Sequence, residues 1–332
     1  MGITISVLDQ SPMYPGETAA EAFAHTVLLA QKSEELGFRR FWVSEHHDSD
    51  HVAGSSPPAL LGFRIRVGSG GVMLQHYSPY KVAENFNVLA ALAPGRVDLG
   101  IGRAPGGLPR STQALQRGVQ EDASLTDKIV ELRKFVHNTL EEDHPLAGLR
   151  AAPLPETAPE LYVLGASAGS AEIAAGLGLP YVFSLFINGE ESAALEAIRV
   201  YRSTFDYTYG REPEILVALS VIVADTEAEA AELAGAMKLV KIHLASGRTL
   251  TLGTREQAEE FGRQAGEPYT IEEQEPFITK GTKETVREQL LRLQRASGVD
   301  EIIVTSNIQP FAKRIRSFEL LSEALAEVPA EA

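Results

Sequence analysis

Three histidines and three carboxylates fall within seven positions in the run Glu45-His46-His47-Asp48-Ser49-Asp50-His51. Such a run invites two kinds of chemistry. Imidazoles and carboxylates bind metals, and an imidazole also titrates near neutrality, so it can move protons. Adjacent strand residues point to opposite faces, so His46 and His47 cannot share one ion unless the strand has already ended. No spacing here matches a known zinc pattern. The favoured reading is therefore a histidine acting as acid–base group or hydrogen-bond donor. A histidine merely satisfied within a loop is the alternative.

Three further segments carry residues that suit a ligand. Ile65–Leu74 reads as a strand but contains Gly68, Gly70 and Gly71. Glycines inside a strand weaken it, and mark either a bulge or something flat approaching the backbone. The apolar pattern continues after them, so this is not the strand–turn–helix context of a dinucleotide fingerprint. In Gly95–Gly107, Arg103 follows a buried strand and precedes a Gly/Pro loop. Its guanidinium suits bidentate phosphate recognition; pairing with a loop carboxylate is the other reading. In Leu161–Glu172 an apolar strand runs into the small-residue turn Gly165-Ala166-Ser167-Ala168-Gly169-Ser170 and then a helix. A helix start offers free N–H groups to an anion, and Ser167 and Ser170 add hydroxyls. Simple capping by Ser167 accounts for the same residues.

The elements that must position these residues alternate along the chain. Strands are expected at Ile3–Leu8, Arg40–Ser44, Ile65–Leu74, Val97–Ile101, Leu161–Leu164, Tyr181–Ser184, Ile215–Val223 and Glu301–Thr305. They are short and apolar throughout, as strands buried on both faces should be. Helical patterns lie between most of them: Ala19–Leu36, Pro79–Leu92, Ser170–Leu177 and Thr282–Ala296, with Gly37, Gly95, Gly178 and Gly298 at or near their ends. Glycine is the usual stop there because it tolerates a left-handed backbone. Eight strands interleaved with helices predict a single (β/α)8 TIM barrel over 1–332, with a doubly wound open sheet as the competing topology.

Two regions fit this pattern poorly. Residues 241–276 are polar and glycine-containing, and read either as an insertion or lid over the barrel mouth or as a solvated loop. Between the second and third strands only Ser55–Phe63 is available for a returning helix, and it contains Pro57 and Pro58. A five-residue strand needs a helix of roughly 11 residues to return, so the helix there is stunted or the chain omits a piece near Leu61–Arg64.

Composition narrows the function classes. Acidic residues number 45 against 30 basic, a formal charge of −15, which repels nucleic-acid phosphates and anionic lipids. No uninterrupted apolar stretch approaches the ~18 residues of a membrane span, and no basic segment precedes the first strand as a signal peptide would require. Cysteine is absent, which excludes disulfides and thiolate chemistry and fits a reducing, cytoplasmic setting.

Taken in order, these runs resemble the luciferase-like monooxygenase family, in particular its stand-alone bacterial oxidoreductases. The resemblance rests on Ser6–Pro12, Phe41–Asp48, Val67–Leu74, Tyr77–Phe86, Gly95–Gly107, Gly165–Gly178, Gly281–Val286 and Asp300–Asn307. It implies a cis peptide at Gly70-Gly71 against a flavin ring, a flavin phosphate held by Arg103, the Ala166 backbone, Ser167 and Ser170, and a catalytic base at His46. It also implies reduced FMN as co-substrate, O2, a separate flavin reductase and a small organic substrate. Gly102 stands where luciferase has a reactive cysteine, which argues against light emission. Deazaflavin F420 is the less favoured cofactor. A flavin-binding protein without turnover and a metal-dependent hydrolase are the rival functions, and the oligomeric state is left open between monomer and homodimer.

Overall fold

A computed structural model of the chain describes residues 2–54, 64–117, 123–235 and 237–326. The question raised over Ser55–Phe63 lies outside the described residues. Eight parallel strands close into a barrel: β1 (Thr4–Asp9), β2 (Arg40–Val43), β3 (Arg66–Met73), β4 (Val97–Gly102), β5 (Glu160–Gly165), β6 (Tyr181–Ser184), β7 (Ile215–Val223) and, last in the chain, β12 (Glu301–Thr305). Closure is decided by pairings at both sides of the seam. β6 pairs β7, β7 pairs β12 and β12 pairs β1, all parallel, which excludes the open doubly wound sheet.

Between β7 and β12 the chain adds four strands that the sequence pattern did not resolve. β8 (Leu239–Leu244), β9 (Thr249–Leu252) and β10 (Tyr269–Gln274) form a separate antiparallel sheet in the order β10-β8-β9. β11 (Ile278–Gly281) then pairs in parallel with the carboxyl half of β7. The span read as lid or loop is thus a folded subunit of the domain with its own apolar cluster of Val240, Ile242, Leu244, Ala258 and Phe261.

The helices are α1 (Ala19–Glu35), α2 (Pro79–Leu92), α3 (Pro109–Leu115), α4 (Leu125–His137), α5 (Ala168–Gly176), α6 (Leu185–Asn188), α7 (Glu191–Thr204), α8 (Glu227–Ala234), α9 (Arg255–Ala265), α10 (Lys283–Ser297) and α11 (Phe311–Ala326). Their ends follow local chemistry. Thr18 with Glu21, and Ser124 with Asp127, form capping boxes that satisfy first-turn N–H groups. Gly298 closes α10 at φ 65°, a left-handed conformation that glycine adopts without a Cβ penalty.

Strand alternation divides the core in two. Ile5, Val7, Phe41, Val43, Val217, Leu219, Ile302 and Val304 face the helices. Leu8, Trp42, Tyr162, Val182, Leu216, Ala218 and Ile303 fill the barrel interior. Two residues further along the same inward faces stand Gln10, Ser44, Leu164, Ser184, Ser220 and Thr305. At the carboxyl side the interior therefore ends mainly in polar side chains, serine and threonine prominent among them, with Leu164 beside them. That is the side on which barrels of this kind carry their sites.

Candidate functional site

His46 and His47 leave the carboxyl end of β2 and part company at once. His46 is half-buried, and its Nδ1 shares a hydrogen bond with Ser44 Oγ at 3.1 Å. Burial holds its pKa below the ordinary imidazole value, assisted by the neighbouring His47. At neutral pH it is a neutral base. His47 instead donates from Nε2 to Glu45 Oε1 at 2.8 Å, since a carboxylate can only accept. Among the described residues no His, Asp and Glu side chains converge as a metal-binding set.

The glycine run does form a bulge. The β3–β4 register shifts between Ser69 and Val72, and the Gly70-Gly71 peptide is cis. What approaches these glycines in the structure is the barrel itself. A Cβ on Gly71 would lie 2.8 Å from the Gly100 carbonyl oxygen, and one on Gly70 would lie 2.6 Å from Leu8 Cδ1. Close strand packing alone thus requires glycine at 71, where a Cβ would meet backbone, whereas at 70 it would meet the movable end of the Leu8 side chain.

Arg103 is exposed, and its guanidinium has no carboxylate or carbonyl partner among the described residues. The expected alternative, a loop ion pair, is not formed. β4 and β5 pair with Ile101 opposite Val163; two residues on, Arg103 comes level with Gly165. The arginine and the small-residue turn therefore sit on adjacent strand ends. In that turn Ser167 caps α5 and accepts from Ser170 N at 3.4 Å. The Ser170 hydroxyl is committed internally: it donates to Ser167 O at 2.7 Å and meets Tyr181 Oη at 2.8 Å. Burial pushes the Tyr181 phenol up to about 12, so it keeps its proton and donates to Ser167 O. Ser170 shapes the turn, and of the two hydroxyls only that of Ser167 is exposed. Ala166 is fixed through its carbonyl, which accepts from Asn188 Nδ2 at 2.9 Å.

A family model for luciferase-like monooxygenases matches residues 1–301. The chain belongs to that family. An N-acetyl-S-alkylcysteine monooxygenase of Bacillus subtilis (strain 168) is 44% identical over 330 residues, covering 97% of this chain and 98% of its own. Among solved structures, apo-MsnO8 is 33% identical, with a TM-score of 0.77 and 99% of each chain covered. The oxygenating constituent of a 3,6-diketocamphane monooxygenase from Pseudomonas putida, solved with FMN, shares the fold at 19% identity and a TM-score of 0.71, again over 99% of each chain.

In this luciferase-like monooxygenase, some contacts around the mouth could not be read from the sequence. Glu45, only 3% exposed, accepts from His47, from the Tyr77 hydroxyl at 2.5 Å and from Met73 N at 3.3 Å. Burial and this carboxylate together raise the Tyr77 pKa, so the phenol stays protonated. The signal available was that Glu45 follows an apolar strand by two residues, so that, drawn into the interior, its carboxylate must find donors. The insertion also reaches the site. Arg110 N donates to Gln264 Oε1 at 3.0 Å on one side of the mouth, and Thr251 Oγ1 to Ile187 O at 3.4 Å on the other.

Proposed function

We propose that this luciferase-like monooxygenase works as the oxygenating half of a two-component system, with a separate flavin reductase supplying reduced FMN. It is a flavin-dependent oxidoreductase, and FMN is its cofactor. The observation that carries the site assignment is Arg103, without an ion-pair partner among the described residues, beside the N-terminal turn of α5 and next to a barrel interior that ends mainly in serine and threonine side chains. A phosphate needs a cation and free N–H groups, and a planar ring needs a floor without bulky side chains. The buried hydroxyls of Thr305 and Ser306, which lack a partner within the described chain, fit the polar edge of such a ring or of its substrate.

The chain's own residues divide the work as follows. Arg103, the Ala166–Ser167 turn and the first N–H groups of α5 hold the phosphate, and Gly70-Gly71 borders the ring. Bound reduced FMN supplies the activation of O2 for oxygen transfer. His46 holds or releases a proton at its ring nitrogen, with Ser44 fixing the ring. The β8–β10 sheet with α9, bridging the loops after β4 and β6, serves as a wall that keeps bulk water from the mouth. The Bacillus relative acts on N-acetyl-S-alkylcysteines, so small N-acylated thioethers are the first substrates to assay. A cytoplasmic setting is consistent with the absence of cysteine, and no helix among the described residues is long and apolar enough to cross a membrane.

The test is reconstitution. The chain, an NAD(P)H-driven flavin reductase, FMN and O2 are incubated with a thioether panel, and product is examined by mass for one added oxygen derived from 18O2. Oxygenated product dependent on both proteins supports the reading. Flavin oxidation with no product from any small substrate would remove it.

A further inference from the structure

The loop that carries Arg103 has no regular structure, yet four successive carbonyls in it accept hydrogen bonds from outside. Gln75 Nε2 donates to Arg103 O at 3.1 Å and to Ala104 O at 2.6 Å. His76 Nε2 donates to Pro105 O at 2.7 Å. His47 N donates to Gly106 O at 2.7 Å. Gln75 and His76 belong to the single helical turn Leu74–His76 that follows β3. That turn is itself tied down, since Lys128 Nζ of α4 donates to Gln75 O at 3.0 Å.

These two side chains satisfy the loop at a cost to themselves. Gln75 Oε1 and His76 Nδ1 are buried and have no partner within the described chain. An orphaned buried acceptor is destabilising, and apolar groups of similar shape would avoid it. The bonds to the loop carbonyls offset that cost, so the two side chains exchange an unpaired atom of their own for a fixed loop. What both supply is a donor aimed at the backbone on which Arg103 stands. The acceptor at Pro105 also fixes the histidine chemistry: Nε2 carries the hydrogen, and a second proton on Nδ1 would be buried without a partner.

We infer that Gln75 and His76 are positioning residues of the cofactor site, which hold the Arg103 loop in place and thereby set the preference for FMN over unphosphorylated riboflavin. The inference rests on the phosphate reading of Arg103 proposed above. A loop ordered in advance loses less freedom when an anion binds, so affinity for the phosphate rises without any contact between these side chains and the ligand. Riboflavin carries the same ring and lacks the phosphate, so its affinity should ignore the clamp.

The experiment measures dissociation constants for oxidised FMN and for riboflavin by fluorescence titration. It uses the wild-type chain and the variants Gln75→Met, His76→Phe, His76→Gln, Arg103→Ala and the pair Gln75→Met with Arg103→Ala. Gln75→Met and His76→Phe should each weaken FMN by about tenfold, the order expected for lost hydrogen bonds, while riboflavin changes less than about twofold. His76→Gln, which keeps a donor near the Nε2 position, should recover most of the loss. In the Arg103→Ala background, Gln75→Met should change FMN affinity by less than about twofold, because the clamp acts through that arginine. Unchanged FMN affinity, equal weakening of both flavins, or full additivity with Arg103→Ala would each overturn the inference. A wild-type chain that prefers neither flavin would sink the phosphate reading, and this inference with it. Thermal melts accompany each variant; if His76→Phe does not fold, Gln75→Met and the double variant decide.

Discussion

At the amino ends of the strands, Arg40 sits with 1% of its surface exposed and every direction occupied. It donates to Glu301 through Nε at 2.6 Å and Nη2 at 2.8 Å, and through Nη1 to Asp98 at 3.1 Å and the Tyr162 hydroxyl at 2.7 Å. Asp98 is completed by Trp42 Nε1 and by Arg66. At the carboxyl ends Arg103 is exposed, and neither it nor the buried polar atoms of Thr305, Ser306, Gln75 and His76 have a partner for every group among the described residues. One end is closed by mutual satisfaction, while the other keeps its hydrogen-bonding capacity available. Buried polar groups are nearly always paired unless they serve something else, so the contrast separates the structural end of this barrel from the working end.

The strongest way to break that contrast is at the closed end. Arg40→Met fills similar volume but removes the cation that joins Asp98 to Glu301, leaving Asp98 to Arg66 and Glu301 to the exposed Arg39. Removing one partner of a buried ion network typically costs about 3–5 kcal/mol. Urea denaturation should show a loss of that size. A loss below about 1 kcal/mol would mean that the closed end is not what holds the barrel together there. At the open end the corresponding experiment is His46→Ala. Turnover should fall by about 10²-fold or more, as for loss of a general acid–base group, with FMN affinity changed less than about twofold. Equal turnover would end the catalytic role of His46.

The same contrast explains what could be read from the sequence. The barrel strands were legible because burial on both faces makes them apolar throughout, and Tyr181–Ser184, Ile215–Val223 and Glu301–Thr305 match the expected bounds. β10 was not, because a strand such as Tyr269–Gln274, half exposed and rich in Glu, has too weak an alternation to stand out from a loop. Arg103 and the Gly165–Ser170 turn were legible because each carries its chemistry locally, and strand order then placed them together. Their partners were hidden for a different reason. Gln75 and His76 act on backbone carbonyls 28 or more positions away, and a carbonyl leaves no mark on residue type. Around Ser170 the local motif left out one contact, since its hydroxyl lies within reach of the strand residue Tyr181.

The smallest expected effect tests the open end without mutation. Burial lowers the pKa of both His46 and His76 below the ordinary imidazole value near 6.5. The unfolded chain therefore binds more protons than the folded one as pH falls below that value. Stability linked to these groups is fully present above about pH 6.5 and is lost as pH falls through the folded values. His137, partly desolvated at the end of α4 and near Arg133 and Arg211, is shifted in the same direction. Thermal midpoints should therefore drop between pH 7.5 and pH 5.5. His76→Gln, which has no titrating group, should reduce the drop without abolishing it. If the variant loses as much as the wild type, burial does not hold His76 neutral against the opposing pull of the Pro105 carbonyl, and the open end is less rigidly built than its hydrogen bonds imply.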